Sequence, residues 1–473
     1  MRLAHPLATR SRQEALPDDP RDGLYGAARL RAMFAVAMSV LLCTLDYSVA
    51  NVALPTIAHD IHSTPADSIW VINAYQLASL IGLLPLAALG EITGQDRMCR
   101  VGLMVFIVAS ACCAGSQTLL QLSVSRVLQG VGGACVMSVN GALVRFIYPS
   151  RLLGRGIAIN GLVVALGVAL GPTIAAAVLS VAGWRWIFLI NLPLGAAALA
   201  FAATSLPVMP RAGAERRFDG LSAVLLAASL GPLVAGFDRL AHQASLGVSL
   251  LLILVGLGCF AWLLRRQIEA PAPMLPIDLL RLSEFRGAFV VGFLAFVASN
   301  FFMIAMPFFF ETELHRTAVQ TGLLMTAWPL AIVLVSPLVA RIADHYSAGL
   351  LSSLGLLVTG SGFLLVWLMP HRPGDADVLW RIALAASGFA LFQPPNNRAI
   401  LTSAPKHRSG SASGMMSVSR LLGQTIGAML VASVLDLVQV DAPRSSVGFG
   451  AAVALVGAAI SASRLRPKAR PRG

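Results

Sequence analysis

Apolar runs of about 20 residues recur from one end of this chain to the other, and nothing else in it limits the possible folds as strongly. Each run, wound as a helix, is long enough to cross a hydrocarbon layer of ~30 Å. Breaks at proline, glycine and charged residues separate fourteen of them. They begin near Met33, Asp67, Val101, Leu119, Gly156, Trp186, Gly220, Ala244, Gly287, Thr317, Gly349, Trp380, Ser409 and Ser446. Only 12% of the 473 residues are charged, about half the share of a soluble domain, so a water-facing surface cannot be built from this chain. The sequence therefore predicts an all-α integral membrane protein.

A formal net charge of +13 raises the question of nucleic acid, and the positions of the basic residues answer it. They lie in short loops between apolar runs, and no helix carries a basic stripe with interleaved aromatics. No nucleic-acid partner is expected; the partners are the lipid bilayer and a small-molecule substrate. Of the 35 Lys and Arg residues, 27 fall on the side of the termini, six on the other side, and Arg126 and Arg420 inside spans. That bias puts both termini in the cytoplasm, which requires an even number of spans. Residues 1–31 mix Arg10, Arg12, Arg21 and Arg29 with Glu14, Asp18, Asp19 and Asp22 ahead of any apolar run, unlike a cleavable leader. The first run is expected to remain. The six cysteines, Cys43, Cys99, Cys112, Cys113, Cys135 and Cys259, show no CxxC spacing, so neither a disulfide nor a metal site is expected.

An internal repeat divides the chain. The loop after the second span, with Glu91, has a counterpart after the tenth, with Asp344. Gly167 and Gly171 in the fifth span correspond to Gly423 and Gly427 in the thirteenth, each pair a GxxxG step that admits a close helix. The expected organisation is a cytoplasmic segment (1–31), a six-helix half (32–206), an inserted helix pair (207–266), a second six-helix half (267–463) and a basic cytoplasmic tail (464–473). Duplicated halves are the usual plan of carriers that rock about a site near the membrane midplane.

Several strings carry a resemblance. Leu45-Asp46-Tyr47-Ser48-Val49-Ala50-Asn51-Val52-Ala53-Leu54-Pro55 ends the first span, Arg126-Val127-Leu128-Gln129-Gly130 lies in the fourth, and Gly167 with Gly171-Pro172 in the fifth. Trp184-Arg185-Trp186-Ile187-Phe188 with Asn191 and Pro193 opens the sixth; Gln393-Pro394-Pro395-Asn396-Asn397-Arg398 and Arg420-Leu421-Leu422-Gly423-Gln424 lie in the second half. Together they closely resemble the fourteen-span drug:proton antiporters of the major facilitator superfamily. The resemblance implies the major facilitator fold, multidrug efflux as the activity, and residence in the inner membrane of a bacterial-type cell. The loop that in that family reads Gly-x-x-x-Asp-Arg-x-Gly-Arg-Lys here keeps only Glu91 as the acid and Gly94, followed by Arg97. Arg97 or Arg100 is left to replace the missing basic pair.

Asp46 lies about 13 residues into its span, on the order of 20 Å from the cytoplasmic boundary. An ionised carboxylate there costs at least ~2.5 kcal/mol, so it must face a cavity, pair with a cation or hold a proton. Each option suits a proton-coupling group, because desolvation raises a carboxyl pKa and a nearby cation lowers it. Arg126, about seven residues into its span from the outside, reaches a similar depth and is expected to tune that carboxyl rather than carry the proton. A permanent structural ion pair is the competing account. Gly167, Gly171 and Pro172, with Glu91 and Asp344, are the candidates for gating and helix packing. Gln76, Asn300, Phe301, Phe302, Trp328 and Gln393 near mid-depth, and Arg420 nearer the cytoplasmic end of its span, are the candidates for a substrate cavity.

No glycine-rich phosphate loop with lysine is present, so no cofactor is expected and the proton serves as the coupling ion. The expected activity is export of small amphipathic compounds, with a preference for cations implied by the resemblance alone. An endogenous metabolite such as a sugar or siderophore fits the same residues, and an accessory export protein is left open as a partner. A polytopic enzyme or sensor is the alternative from another class, but the eight histidines are scattered rather than clustered for chemistry at the membrane boundary.

Overall fold

Fourteen long helices account for the fourteen apolar runs in the computed structural model, which describes residues 23–209, 218–241, 245–269, 274–342, 345–370, 372–405, 408–438 and 440–464. The first half contains α1 (Gly26–Asp60), α2 (Trp70–Thr93, entered through the turn Pro65–Ser68), α3 (Gln95–Gly115), α4 (Leu119–Ile147), α5 (Leu153–Val181) and α6 (Asn191–Ser205, entered through Arg185–Leu189). The inserted pair is α7 (Gly220–Ala241) and α8 (Leu246–Glu269). The second half contains α9 (Ser283–Phe308, extended by one wide turn, Phe309–Glu313), α10 (Ala318–Met325 and Ala327–Ile342), α11 (Ala348–Trp367), α12 (Asp375–Ser403), α13 (Ser409–Leu437) and α14 (Ala442–Ser463).

Several starts are written locally. Thr118 accepts from the Gln121 amide ahead of α4, Ser347 from the Leu350 amide ahead of α11, and Thr317 with Gln320 forms a capping box at α10. Each hydroxyl satisfies an amide that the first helical turn leaves unpaired. Thirteen of the helices are long and apolar enough to cross a membrane. The fourteenth, α12, is 29 residues long but carries Asp375, Asp377, Arg381, Asn396, Asn397 and Arg398. Its span status follows from its place among α9, α10 and α11.

The internal repeat is visible in the packing. Helix α1 lies against α5 and α6, α2 against α4, and α3 against α4 and α6; in the same way α9 lies against α13 and α14, α10 against α12, and α11 against α12 and α14. Glycines permit the closest of these approaches. A Cβ on Gly102 or Gly132 would strike across the α3 and α4 contact, and one on Gly355 or Gly388 would strike across the matching contact of α11 and α12.

The halves meet where α1 faces α9, α2 faces α13 and α5 faces α10. The α5 and α10 contact is tight: a Cβ on Gly322 would come within 2.6 Å of the Pro172 carbonyl, and Thr173 and Thr326 are hydrogen-bonded at 3.1 Å. Helices α7 and α8 pack on each other, and α7 lies beside α2 and α13, next to this seam, where Trp70 of α2 donates to Asp238 of α7 at 3.0 Å. Just before α7, burial pushes the Asp219 carboxyl up, but hydrogen bonds from Ser222 and Arg266 outweigh it and hold the group below its ordinary range.

Candidate functional site

Asp46 sits on the face of α1 turned into its own half, and it is enclosed. Arg126 of α4 donates to its Oδ2 at 2.6 Å, and both side chains are fully buried. Its Oδ1 accepts from Asn191 of α6 at 2.6 Å and from Gln129 of α4 at 2.8 Å. Gln129 follows Arg126 by three positions, so both side chains leave the same face of α4. Ser110 of α3 steadies Gln129 at 2.9 Å, and the Cys113 thiol approaches the same amide at 3.5 Å. Helices α4 and α6 thus converge on the carboxylate of α1, with α3 supporting them from behind.

Arg126 has further partners besides the acid. Its Nε donates to the Val71 carbonyl at 2.9 Å, its Nη1 is also 2.6 Å from Gln129 Oε1, and the guanidinium lies over the rings of Tyr75 (4.5 Å) and Phe188 (5.6 Å). A buried cation with this many neighbours is held even when its carboxylate changes state, because carbonyl dipoles and ring faces continue to compensate its charge.

One residue along α1, Tyr47 points the other way, toward the seam. Its hydroxyl donates to Asn300 of α9 at 3.1 Å and accepts from Gln424 of α13 at 3.4 Å, while the Asn300 amide donates to the Gln424 carbonyl at 2.5 Å. Gln76 of α2 lies beside that hydroxyl, and Arg420 stands one turn before Gln424 on the same face of α13. Thr56 of α1 reaches Glu311 beyond α9 at 3.5 Å, a second contact between the halves.

The other sequence candidates fall in several places. Gly167 and Gly171 pack α5 onto α1, against Thr44 and Ser48, within the first half; Gly423 and Gly427 do the same for α13 on α9, against Phe293 and Asn300. Pro172 adjoins the seam through its carbonyl, which faces Gly322. Phe302 and Trp328 are not brought to Tyr47. They stack at 4.8 Å with each other and on Phe363, inside the second half. Phe301 turns to α14, where it meets Phe449 and Gly450. Gln393 is partly buried on α12 and makes no hydrogen bond to a described residue. Glu91 ends α2, and Asp344 lies outside the described residues. In the degenerate loop, Arg100 pairs with Asp96 one turn away on α3, Asp96 also accepts from the Met209 amide, and Arg97 is exposed.

Sequence reading did not single out Gln129, Ser110, Asn191 or Glu311. Gln129 and Asn191 stood within the motif strings, and Glu311 lies at the end of an apolar run.

Comparison with known proteins agrees with this architecture. The family model described as Major Facilitator Superfamily matches residues 36–283 and 288–473. The chain is 44% identical over 458 residues, 96% of its length and all of the relative's, to a protein described as uncharacterized transporter YebQ of Escherichia coli (strain K12). It is 29% identical, over 86% of its length and 76% of the relative's, to multidrug resistance protein Stp of Mycobacterium tuberculosis (strain ATCC 25618 / H37Rv). Among solved structures, a POT family transporter in complex with 5-aminolevulinic acid superposes with a TM-score of 0.73 at 16% identity, covering 94% of this chain and 99% of that one, a likeness of fold. With the fourteen-helix duplicated architecture and a family match across nearly the whole chain, this protein belongs to the major facilitator superfamily and is a multi-pass membrane transporter, not an enzyme.

Proposed function

We propose that this transporter is a proton-coupled antiporter that exports small amphipathic compounds by alternating access, with both termini in the cytoplasm and Asp46 carrying the coupling proton. The observation that supports it best is the enclosure of Asp46 by Arg126, Gln129 and Asn191. A carboxylate held by a cation and two amides is stable in the dry interior of the half. Its protonated form loses the ion pair but leaves Arg126 with Val71, Gln129 and two ring faces, so both charge states are supported. Relatives named as multidrug resistance proteins support the substrate class.

The sequence of states follows from the placement of α1. Protonation at Asp46 relaxes the hold of α4 and α6 on α1, and Tyr47 on the same helix contacts α9 and α13. A change at the acid is thereby felt at the seam where the halves move.

The test is gradient-driven transport in proteoliposomes at equal reconstitution, after substrate profiling in an efflux-deficient strain. Asp46→Asn should insert normally and lose uphill transport driven by a pH gradient, and Asp46→Glu should keep part of it. The double variant Asp46→Asn with Arg126→Gln removes both charges, so a purely structural pair predicts recovery. Recovery of uphill transport in the double variant would refute the proposal.

A further inference from the structure

Two arginines stand deep within the membrane-spanning helices, and among the described residues only one has a counter-ion. Arg126 is committed to Asp46. Arg420, eleven residues past Ser409 and so about 16 Å along α13, makes no hydrogen bond or ion pair with a described residue and is only partly buried. Gln424, one turn further along α13 and so on the same face, reaches the Tyr47 hydroxyl of α1, and the charge of Arg420 is felt at the phenols of Tyr47 and Tyr75. Among the described residues no carboxylate approaches it.

The polar groups around Arg420 are incomplete as well. Gln76 is 1% exposed, and neither its amide nitrogen nor its amide oxygen completes a hydrogen bond of normal geometry, although it lies beside the Tyr47 hydroxyl. Gln424, one turn from Arg420 on α13, also points at that hydroxyl. A guanidinium offers five donors in a planar fork that matches a carboxylate, sulfonate or phosphate. The Gln76 amide adds donors, and the partly buried Tyr47 ring supplies an apolar face for the body of a ligand. The site spans both halves, as an alternating-access carrier requires. An unpaired membrane cation is expensive unless a ligand or water supplies the missing charge.

We propose that Arg420, with Gln76 and Tyr47 beside it, is the anion-recognising centre of the transport site, and that the preferred substrates are amphipathic compounds bearing a carboxylate or similar anionic group. This assignment rests on the export reading for its biological sense, but ligand charge preference is measured without a proton gradient, so the two can fail separately. The family resemblance alone implied cationic substrates; the one acid at this depth is already neutralised by Arg126.

Fluorescein and rhodamine 123 share a xanthene frame and carry opposite charge. Their binding to the purified full-length protein in uncharged detergent is read by fluorescence polarisation. Wild type should bind fluorescein about tenfold more tightly than rhodamine 123, and Arg420→Gln should abolish that preference by weakening fluorescein about tenfold while moving rhodamine 123 by less than about twofold. Arg420→Lys, which keeps the charge without the fork, should fall between. Wild-type protein that shows no preference for the anion, or an Arg420→Gln variant that weakens both dyes alike, would overturn the assignment. If Arg420→Gln fails to purify as a folded protein, the wild-type preference and the Arg420→Lys variant decide it by the same criteria.

Discussion

Replacing Gly171 by alanine adds one methyl group at the closest approach of α5 to α1. A Cβ built there overlaps both Cβ and Oγ of Ser48 and stands 3.0 Å from the Ser48 carbonyl carbon. Rotating the hydroxyl away does not relieve the overlap, because Ser48 Cβ is fixed by the backbone. The helices must separate by about 1 Å to restore ordinary contact. Overpacking of this kind costs about 1–3 kcal/mol. The separation also stretches the 2.9 Å bond from Ser48 Oγ to the Val168 carbonyl, worth about 0.5–1.5 kcal/mol. A total of about 2–4 kcal/mol is expected, along with displacement of Asp46, two residues before Ser48, from partners at 2.6 Å. Thermal melting of the purified variant in detergent and gradient-driven transport in proteoliposomes both read the effect. Gly167→Ala should be milder, since the backbone-fixed Cβ it meets, that of Thr44, stands at 2.8 Å, farther than Ser48 Cβ stands from the one added at Gly171. Gly161→Ala on the same helix meets nothing within 4 Å and should be neutral. Equal behaviour of the three variants would refute the assignment of this face to close helix packing.

Reporter fusions after Ser116 and Arg372 should read as external and a fusion after Arg216 as cytoplasmic; an external reading at Arg216 contradicts the proposed orientation. Thr173→Cys with Thr326→Cys, in a background without the native cysteines, should cross-link on oxidation because the hydroxyls stand 3.1 Å apart, and the bridge should arrest transport until it is reduced. Transport that continues in the cross-linked protein would show that α5 and α10 need not part. Phe302→Ala removes a fully buried ring stacked on Trp328 and Phe363 and should cost about 3–5 kcal/mol of stability without altering the order of substrate preference; a changed preference would place Phe302 in the ligand site.

Much of this architecture was legible because lipid permits few solutions. Fourteen runs, an even span count and a duplicated GxxxG step all follow from length and backbone satisfaction. The pairing of Asp46 with Arg126 was legible from depth, since two isolated charges at a similar level in a dry interior must meet or face water. What depth does not carry is azimuth. Phe301 and Phe302 are neighbours on a helix that turns about 100° per residue, so one faces α14 and the other the stack with Trp328, and neither destination is written in the local sequence. The same limit applies to Gly171, whose need for a close partner was readable while the identity of that partner, α1 rather than the opposing half, was not. Helix α12 fails a hydropathy test because its polar residues Gln393, Asn396 and Asn397 lie on a helix enclosed by its neighbours. Asn396, 1% exposed, spends its amide on the Ala288 carbonyl at 3.0 Å, a cost of burial that a composition window cannot anticipate.

Coupling between the acid and the seam follows from the geometry of a single helix. Asp46 and Tyr47 are consecutive on α1, so their side chains diverge by about 100°: one is held by α4 and α6 of the same half, the other by α9 and α13 of the opposite half. Loss of the Asp46 carboxylate charge weakens the first set of contacts and leaves the second intact, which frees α1 to follow the opposing half. Tyr75 lies beside the partner of the acid, its ring over Arg126 and its hydroxyl against Gly133 of α4. If Asp46 carries the coupling proton and Arg420 the anion, as proposed, the two act through adjacent residues of α1, Asp46 and Tyr47. For that reason Tyr47→Phe, which keeps the ring but deletes the hydroxyl shared with Asn300 and Gln424, should leave ligand binding within a few fold and uncouple it from the pH gradient; proton movement with unchanged stoichiometry in that variant would break the proposed link between the acid and the seam.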